Sequence, residues 1–186
     1  IRLPRSPSIH IDGKEIYPSS VWFRRPTPYA MLSNQKPVAS SSFAGREIDR
    51  FWIDLVSMIP QQTHWVNNPL RLMAAGAKAE QLRTATACGF EVPRTLMTND
   101  PKEAMSFCEE VGWQVVAKTF GPPVVDDNGQ LKTIYARTLK EDDKDQLEHL
   151  VVCPVILQER IHPKVEYRVT VMGRTAYSVK IEHPKV

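Results

Sequence analysis

A chain of 186 residues holds one or two domains of the usual ~100–200 residues and excludes a large multidomain enzyme. A composition of 42% hydrophobic and 24% charged residues excludes a disordered or collagen-like chain. The 24 Lys+Arg against 21 Asp+Glu leave a net charge of +3, far short of the clustered excess of a dedicated nucleic-acid binder.

Residues 1–40, rich in Pro and Ser, read as short strands and turns. Asp12-Gly13 between Ile9/Ile11 and Ile16 is a hairpin signal. Val21-Trp22-Phe23-Arg24-Arg25-Pro26 reads as a brief strand, Pro37 to Ser42 as a loop. Glu47 to Met58 reads as a helix, because Ile48, Phe51, Trp52 and Leu55 recur at helical spacing. Asn68-Pro69 then opens a helix, since the Asn side chain can accept an orphan N–H and Pro has none to satisfy. That helix is expected to run to Cys88, with Gly89 as its stop. Asp100-Pro101-Lys102-Glu103 repeats the start signal with a capping-box carboxylate, and Ala104, Phe107, Cys108 and Val111 form the buried stripe.

Gln114 to Phe120 is a strand, Val124 to Gln130 a turn, and Lys132 to Thr138 a second strand. A polar helix over Glu141 to Leu150 leads to a strand from Val155 to Ile161. Glu166 to Met172 and Thr175 to Ile181 flank a hairpin turn at Gly173-Arg174. This order favours an α/β chain built of α+β lobes with an antiparallel sheet over a doubly wound parallel one.

Cys88, Cys108 and Cys153 show neither CxxC nor CxH spacing, so neither a zinc site nor a disulfide framework is suggested, and a reducing cytoplasm is the expected location. No apolar run approaches the ~20 residues that cross a bilayer, so no membrane partner is expected. Residues 1–93 carry 11 basic and 7 acidic side chains, residues 94–186 carry 13 and 14, so an acidic partner is sought first on the N-terminal half. Ile1 in first position and a strand-like run just before Val186 read as a piece of a longer protein.

Four features carry candidate chemistry. Lys78 shares a helix face with Leu82 and Ala85, which a snorkelling lysine would also do. Lys118 ends the run Val115-Val116-Ala117-Lys118, as a solvated strand end would. Gly121 to Gly129 is a loop that could offer backbone N–H groups to phosphates, but its glycines are sparse and it carries two Asp. Alternation puts Glu166, Arg168 and Thr170 on one strand face, as a surface ion ladder would also have it.

Taken in order, these runs resemble the ATP-grasp ligases: Lys78 before a Gly-Phe-x-Val-Pro-x-Thr turn, the Val-Val-Ala-Lys strand, Leu-Gln-Glu-Arg-Ile (157–161) and Glu-Tyr-Arg-Val-Thr-Val-Met-Gly (166–173). Glu159 and Glu166 stand seven apart, as do the adenine-hinge and ribose carboxylates of that superfamily. Val-Trp-Phe-Arg-Arg-Pro (21–26), Trp-Val-Asn-Asn-Pro (65–69) and Thr-Asn-Asp-Pro (98–101) are similar to the microviridin-type ligases that close the rings of graspetides. The likeness covers most of residues 20–182.

The resemblance implies a partial ATP-grasp fold: 1–68 from an N-terminal lobe, 69–157 the central lobe, and 158–186 the hinge and first strands of the C-terminal lobe. It implies that Lys78 and Lys118 contact the phosphates of ATP, that the strand Gln158, Glu159, Arg160, Ile161 pairs with the adenine edge, and that Glu166 binds ribose. Arg168 would face the γ-phosphate or acyl phosphate. Lys180 also matches a basic catalytic position, although a two-residue turn at Gly173-Arg174 would pair Arg168 with Val179 and point Lys180 to the other face. The implied Mg²⁺ would be held by ligands beyond Val186, with none assigned among these residues. The implied partner is a ribosomal precursor peptide, leader and core, acted on by a homodimer. Two rivals share these residues: a carboxylate–amine ligase that adds an amino acid to a peptide or small acid, and a non-catalytic peptide-binding module on a decayed ligase fold.

Overall fold

In the computed structural model, which describes residues 9–24, 43–60, 62–121, 124–127, 130–162 and 165–182, the chain divides after Arg83 into two units. The first opens with strands β1 (Ile9–Ile11) and β2 (Lys14–Ile16), joined through Asp12-Gly13 as the sequence predicts. Strand β3 (Ser20–Trp22) is followed by helix α1 (Phe43–Met58) and strand β4 (His64–Val66). β3 and β4 run parallel, Ser20 beside His64 and Trp22 beside Val66, an arrangement that requires a long crossover between them. The Thr63 hydroxyl ties the pair down by donating to the Pro18 carbonyl at 3.0 Å. The loop expected at Pro37 to Ser42 lies outside the described residues.

The helix expected from Asn68 to Cys88 is two: α2 (Pro69–Gly76) and α3 (Lys78–Ala87), separated at Ala77, whose backbone is extended. Its start is as expected, with Asn68 Oδ1 accepting from the N–H groups of Leu70 and Arg71 at 3.0 and 3.2 Å. Its stop is also as expected. Gly89 has φ +83°, a conformation that costs a residue with a Cβ, and lets the Phe90 N–H reach back to the Ala85 carbonyl.

The second unit is built on a four-stranded antiparallel sheet in the order β5 (Thr95–Thr98), β10 (Val155–Glu159), β6 (Val115–Lys118), β9 (Arg137–Leu139). Helix α4 (Pro101–Glu110) and a 3₁₀ helix (Glu141–Val152) accompany it. The expected strand over Lys132 to Thr138 is replaced by a separate hairpin, β7 (Val124–Asp127) with β8 (Gln130–Thr133), followed by β9. Val124 to Asp127 is thus strand where a turn was expected. The capping box at α4 is indirect: Asp100 accepts from the Lys102 N–H, while Glu103 accepts from the Thr98 hydroxyl, whose oxygen accepts from the Asp100 N–H.

One face of this sheet makes the core. Val115, Leu139 and Leu157 pack with Ala104, Phe107 and Cys108 of α4 and Leu147 of the 3₁₀ helix. Burial pushes the Cys108 thiol up from its ordinary value, with Glu109 adding to the effect, so this cysteine stays a neutral core residue. Leu157 is 1% exposed at the middle of the central strand. Leu157→Ala is therefore expected to cost about 2–5 kcal/mol, the range for an emptied buried leucine site. A urea midpoint that falls with an unchanged slope would bear this out, and an unmoved midpoint would contradict it.

The last pair, β11 (Glu166–Met172) and β12 (Thr175–Ile181), forms a two-stranded sheet of its own. Its two-residue turn starts at Gly173 with φ +61°, and Arg174 keeps a negative φ, so only the first turn position demands glycine. Among the described residues no helix is long and apolar enough to cross a membrane.

Candidate functional site

The face of the four-stranded sheet turned away from α4 is where the sequence-predicted lysine lies. Register sets two rows across three strands: Thr95, Gln158 and Val116 in one, Met97, Ile156 and Lys118 in the next. Residues opposite one another across a ladder share a face, so all six lie on the side opposite Leu157 and Val115. Lys118 is exposed at the end of β6 and donates from Nζ to Gln158 Oε1 at 2.5 Å. Gln158 in turn donates from Nε2 to Thr95 Oγ1 at 2.9 Å, and the Thr95 hydroxyl donates to the Pro93 carbonyl at 2.8 Å. A lysine held by a neutral amide keeps its full charge and further N–H donors for an anion.

Sequence reasoning missed Thr95 as a site residue, although it ends the Val-Pro-x-Thr run. The signal is a cross-strand partner 63 residues away, which no local pattern contains.

The strand expected from Val155 to Ile161 is shorter. The strand stops at Glu159 rather than Ile161, and it is central, laddered to β5 on one side and β6 on the other. The Glu159 N–H donates to the Arg94 carbonyl at 2.9 Å and the Arg160 N–H to the Gln114 carbonyl at 2.7 Å. A strand paired on both edges has no backbone left for a base. An adenine edge can therefore meet the backbone only past these bonds, from the carbonyl of Glu159, whose side chain takes the Arg94 N–H in its place, to Arg160 and Ile161, both exposed. Glu159 itself lies in the row of Val115, on the opposite face from Gln158, and its carboxylate accepts from the Arg94 N–H at 3.4 Å.

On the hairpin, Arg168 pairs with Val179 and Tyr167 with Lys180. Alternation keeps Glu166, Arg168 and Thr170 on one face and puts Lys180 on the other, where its ammonium meets Glu182 at 2.9 Å. The two candidate catalytic cations thus do not share a face, and only Arg168 stands beside Glu166. Glu166 is half-buried, Arg168 exposed.

Lys78 is the first residue of α3 rather than a mid-helix residue, and it is exposed in the first unit. Beside it Glu80 and Arg83 pair one turn apart. Of the loop Gly121 to Gly129, residues 122, 123, 128 and 129 lie outside the described set. Among the described residues no three His, Cys, Asp or Glu side chains are grouped to hold a metal ion, so no metal ligand is assigned.

No protein-family model and no curated protein sequence matches the chain. Solved structures do. A RiPP-associated ATP-grasp ligase of Chryseobacterium gregarium, in complex with ADP and a leader and core peptide, superimposes with a TM-score of 0.74 at 26% identity over 94% of this chain and 56% of that one. The macrocyclase MdnC of Microcystis aeruginosa, bound with its precursor peptide, gives 0.79 at 23% identity over 95% and 58%. The ATP-grasp ligase PsnB, complexed with precursor peptide and AMPPNP, gives 0.64 at 26% identity over 91% and 54%. The chain thus spans a little over half the length of the proteins it matches, and across that span it carries the fold of the ATP-grasp ligases, in the form seen in RiPP-associated ligases and macrocyclases.

Proposed function

We propose that this chain is part of an ATP-dependent peptide ligase of the microviridin type, which closes side-chain esters or amides within a ribosomal precursor peptide, leader and core, in the cytoplasm. The observation that carries the reading is the likeness along 94% of the chain to an ATP-grasp ligase holding ADP, leader and core. Residues 1–68, 69–157 and 158–186 are assigned to the N-terminal, central and C-terminal lobes.

In this reading Lys118 and Lys78 neutralise phosphate oxygens, the chemistry phosphoryl transfer requires most. The backbone at Arg160 and Ile161 pairs with adenine, and Glu166 accepts from ribose hydroxyls. A side-chain carboxylate of the peptide attacks the γ-phosphorus, the bond to the leaving ADP oxygen breaks, and an acyl phosphate forms. A Ser/Thr hydroxyl or Lys amine of the same peptide then attacks the carbonyl carbon, loses its proton, and expels inorganic phosphate. Phosphorylation comes first because a carboxylate oxygen is a poor leaving group. Arg168 stabilises charge on the moving phosphoryl group, and Lys180 is given no part. Mg²⁺ supplies further charge neutralisation on the phosphates in such chemistry, and no step is assigned to it here.

Incubating the full-length enzyme with ATP and a precursor peptide, and following peptide mass, tests the reading. Repeated loss of water with no added residue supports ring closure, and addition of an amino-acid mass would indicate the amino-acid-adding rival. The ribose assignment has its own test. Glu166→Ala is expected to raise the ATP KM with kcat nearly unchanged, the mark of binding felt equally in ground and transition states. A 2′,3′-dideoxy ATP should no longer separate wild type from variant, and a variant that still prefers the ribose form as strongly as wild type would overturn the assignment.

A further inference from the structure

We propose that Thr95 and Gln158 are positioning residues that hold the Lys118 ammonium in place without cancelling its charge, so that the lysine is presented to the phosphates of the nucleotide. The inference rests on the nucleotide-site reading above and deepens it.

One proton sets the direction of every link. A hydroxyl has a single proton to give, and that of Thr95 goes to the Pro93 carbonyl, which can only accept. Toward Gln158 the same oxygen must therefore accept, which fixes the amide nitrogen of Gln158 on the Thr95 side. The amide oxygen is then left facing Lys118, whose ammonium can only donate. Every link has one allowed direction, and the chain ends on an ammonium with its positive charge intact.

A carboxylate in place of the Gln158 amide would be nearly the same shape and would still hold the lysine, but it has no N–H to give the Thr95 oxygen. It would also make an ion pair that presents no net charge to an anion. The neutral amide is thus the chemically meaningful choice for a lysine that must both stay put and attract phosphate. Lys118 has a long, rotatable stem, so an anchor at its tip spares ordering that the ligand would otherwise impose.

The test measures ADP and adenosine affinity by calorimetry in the full-length protein, for wild type, Gln158→Glu, Thr95→Val, Thr95→Ser and Lys118→Ala. Gln158→Glu is expected to weaken ADP by on the order of tenfold while adenosine stays within about twofold, because only the phosphates feel the lost charge. A merely structural role for Gln158 predicts no such selectivity: ADP and adenosine affinities would stay unchanged or fall together. Thr95→Val should weaken ADP selectively by roughly three- to tenfold, and Thr95→Ser, which keeps the hydroxyl, should restore it. Wild-type ADP affinity in Gln158→Glu, or equal losses for ADP and adenosine, overturns the relay. If Lys118→Ala is weak and Gln158→Glu is not, the relay alone falls. If Lys118→Ala binds ADP as wild type does, the nucleotide-site reading falls with it. Should Thr95→Val fail to fold, Gln158→Glu and Thr95→Ser still decide.

Discussion

Replacing Arg168 with alanine is expected to lower kcat by at least on the order of 10²-fold, the usual loss when one charge-stabilising donor is removed, with little change in ATP affinity. Arg168 stands on the Glu166 face of β11, two residues along, which places it about 6–7 Å further by strand rise. If Glu166 meets the ribose, that step leads toward the phosphates. Charge that develops as the phosphoryl group moves is absent from the ground state, so its stabilisation appears in kcat and not in binding. Arg168→Lys should recover only part of the loss, because a point charge does not reproduce the planar fork of the guanidinium. Near wild-type turnover in Arg168→Ala would make this arginine one member of a surface ladder with Glu166 and Thr170.

Lys118→Ala carries the second large effect. The side chain is exposed, lies outside the packed core, and is held only through its tip by Gln158, so its removal should leave the fold intact. A charge-assisted hydrogen bond to phosphate is worth about 1.5–3 kcal/mol, and ATP affinity is therefore expected to fall by roughly 10–150-fold, with turnover lost alongside. Circular dichroism should give a wild-type melting profile, and calorimetry the weakened affinity. Unchanged affinity would remove Lys118 from the nucleotide site.

How far the fold could be read from sequence followed the range of the forces involved. The Asn68 cap, the Gly89 stop, the Asp12-Gly13 turn and the Gly173-Arg174 register are all set within a few residues, and all stand where expected. The division of one helix into α2 and α3 was not legible. Gly76 inside a helical pattern costs only about 1 kcal/mol and is often tolerated, and Ala77 is the best helix former of all. β4 went unread because three residues, His64 to Val66, owe their strand conformation to a partner more than forty residues earlier.

The candidate site divides the same way. Lys118, Arg168 and Glu166 were nominated by the order of several runs and not by any one of them, and the face opposition of Lys180 followed from strand parity. The central position of β10, which engages the Gln158 backbone and the Glu159 N–H, is decided by two non-local ladders. So is the Thr95–Gln158–Lys118 chain, whose links span 63 and 40 residues.

The proposed reaction begins when a carboxylate oxygen attacks phosphorus, and an isotope can follow that oxygen. A precursor peptide whose side-chain carboxylates carry heavy oxygen in both positions is mixed with full-length enzyme, ATP and Mg²⁺, and the released phosphate and the cyclised peptide are weighed by mass spectrometry. An acyl phosphate transfers one heavy oxygen to each inorganic phosphate and leaves the other in the new ester or amide. Unlabelled phosphate alongside a cyclised peptide, or heavy oxygen in AMP instead, would contradict it.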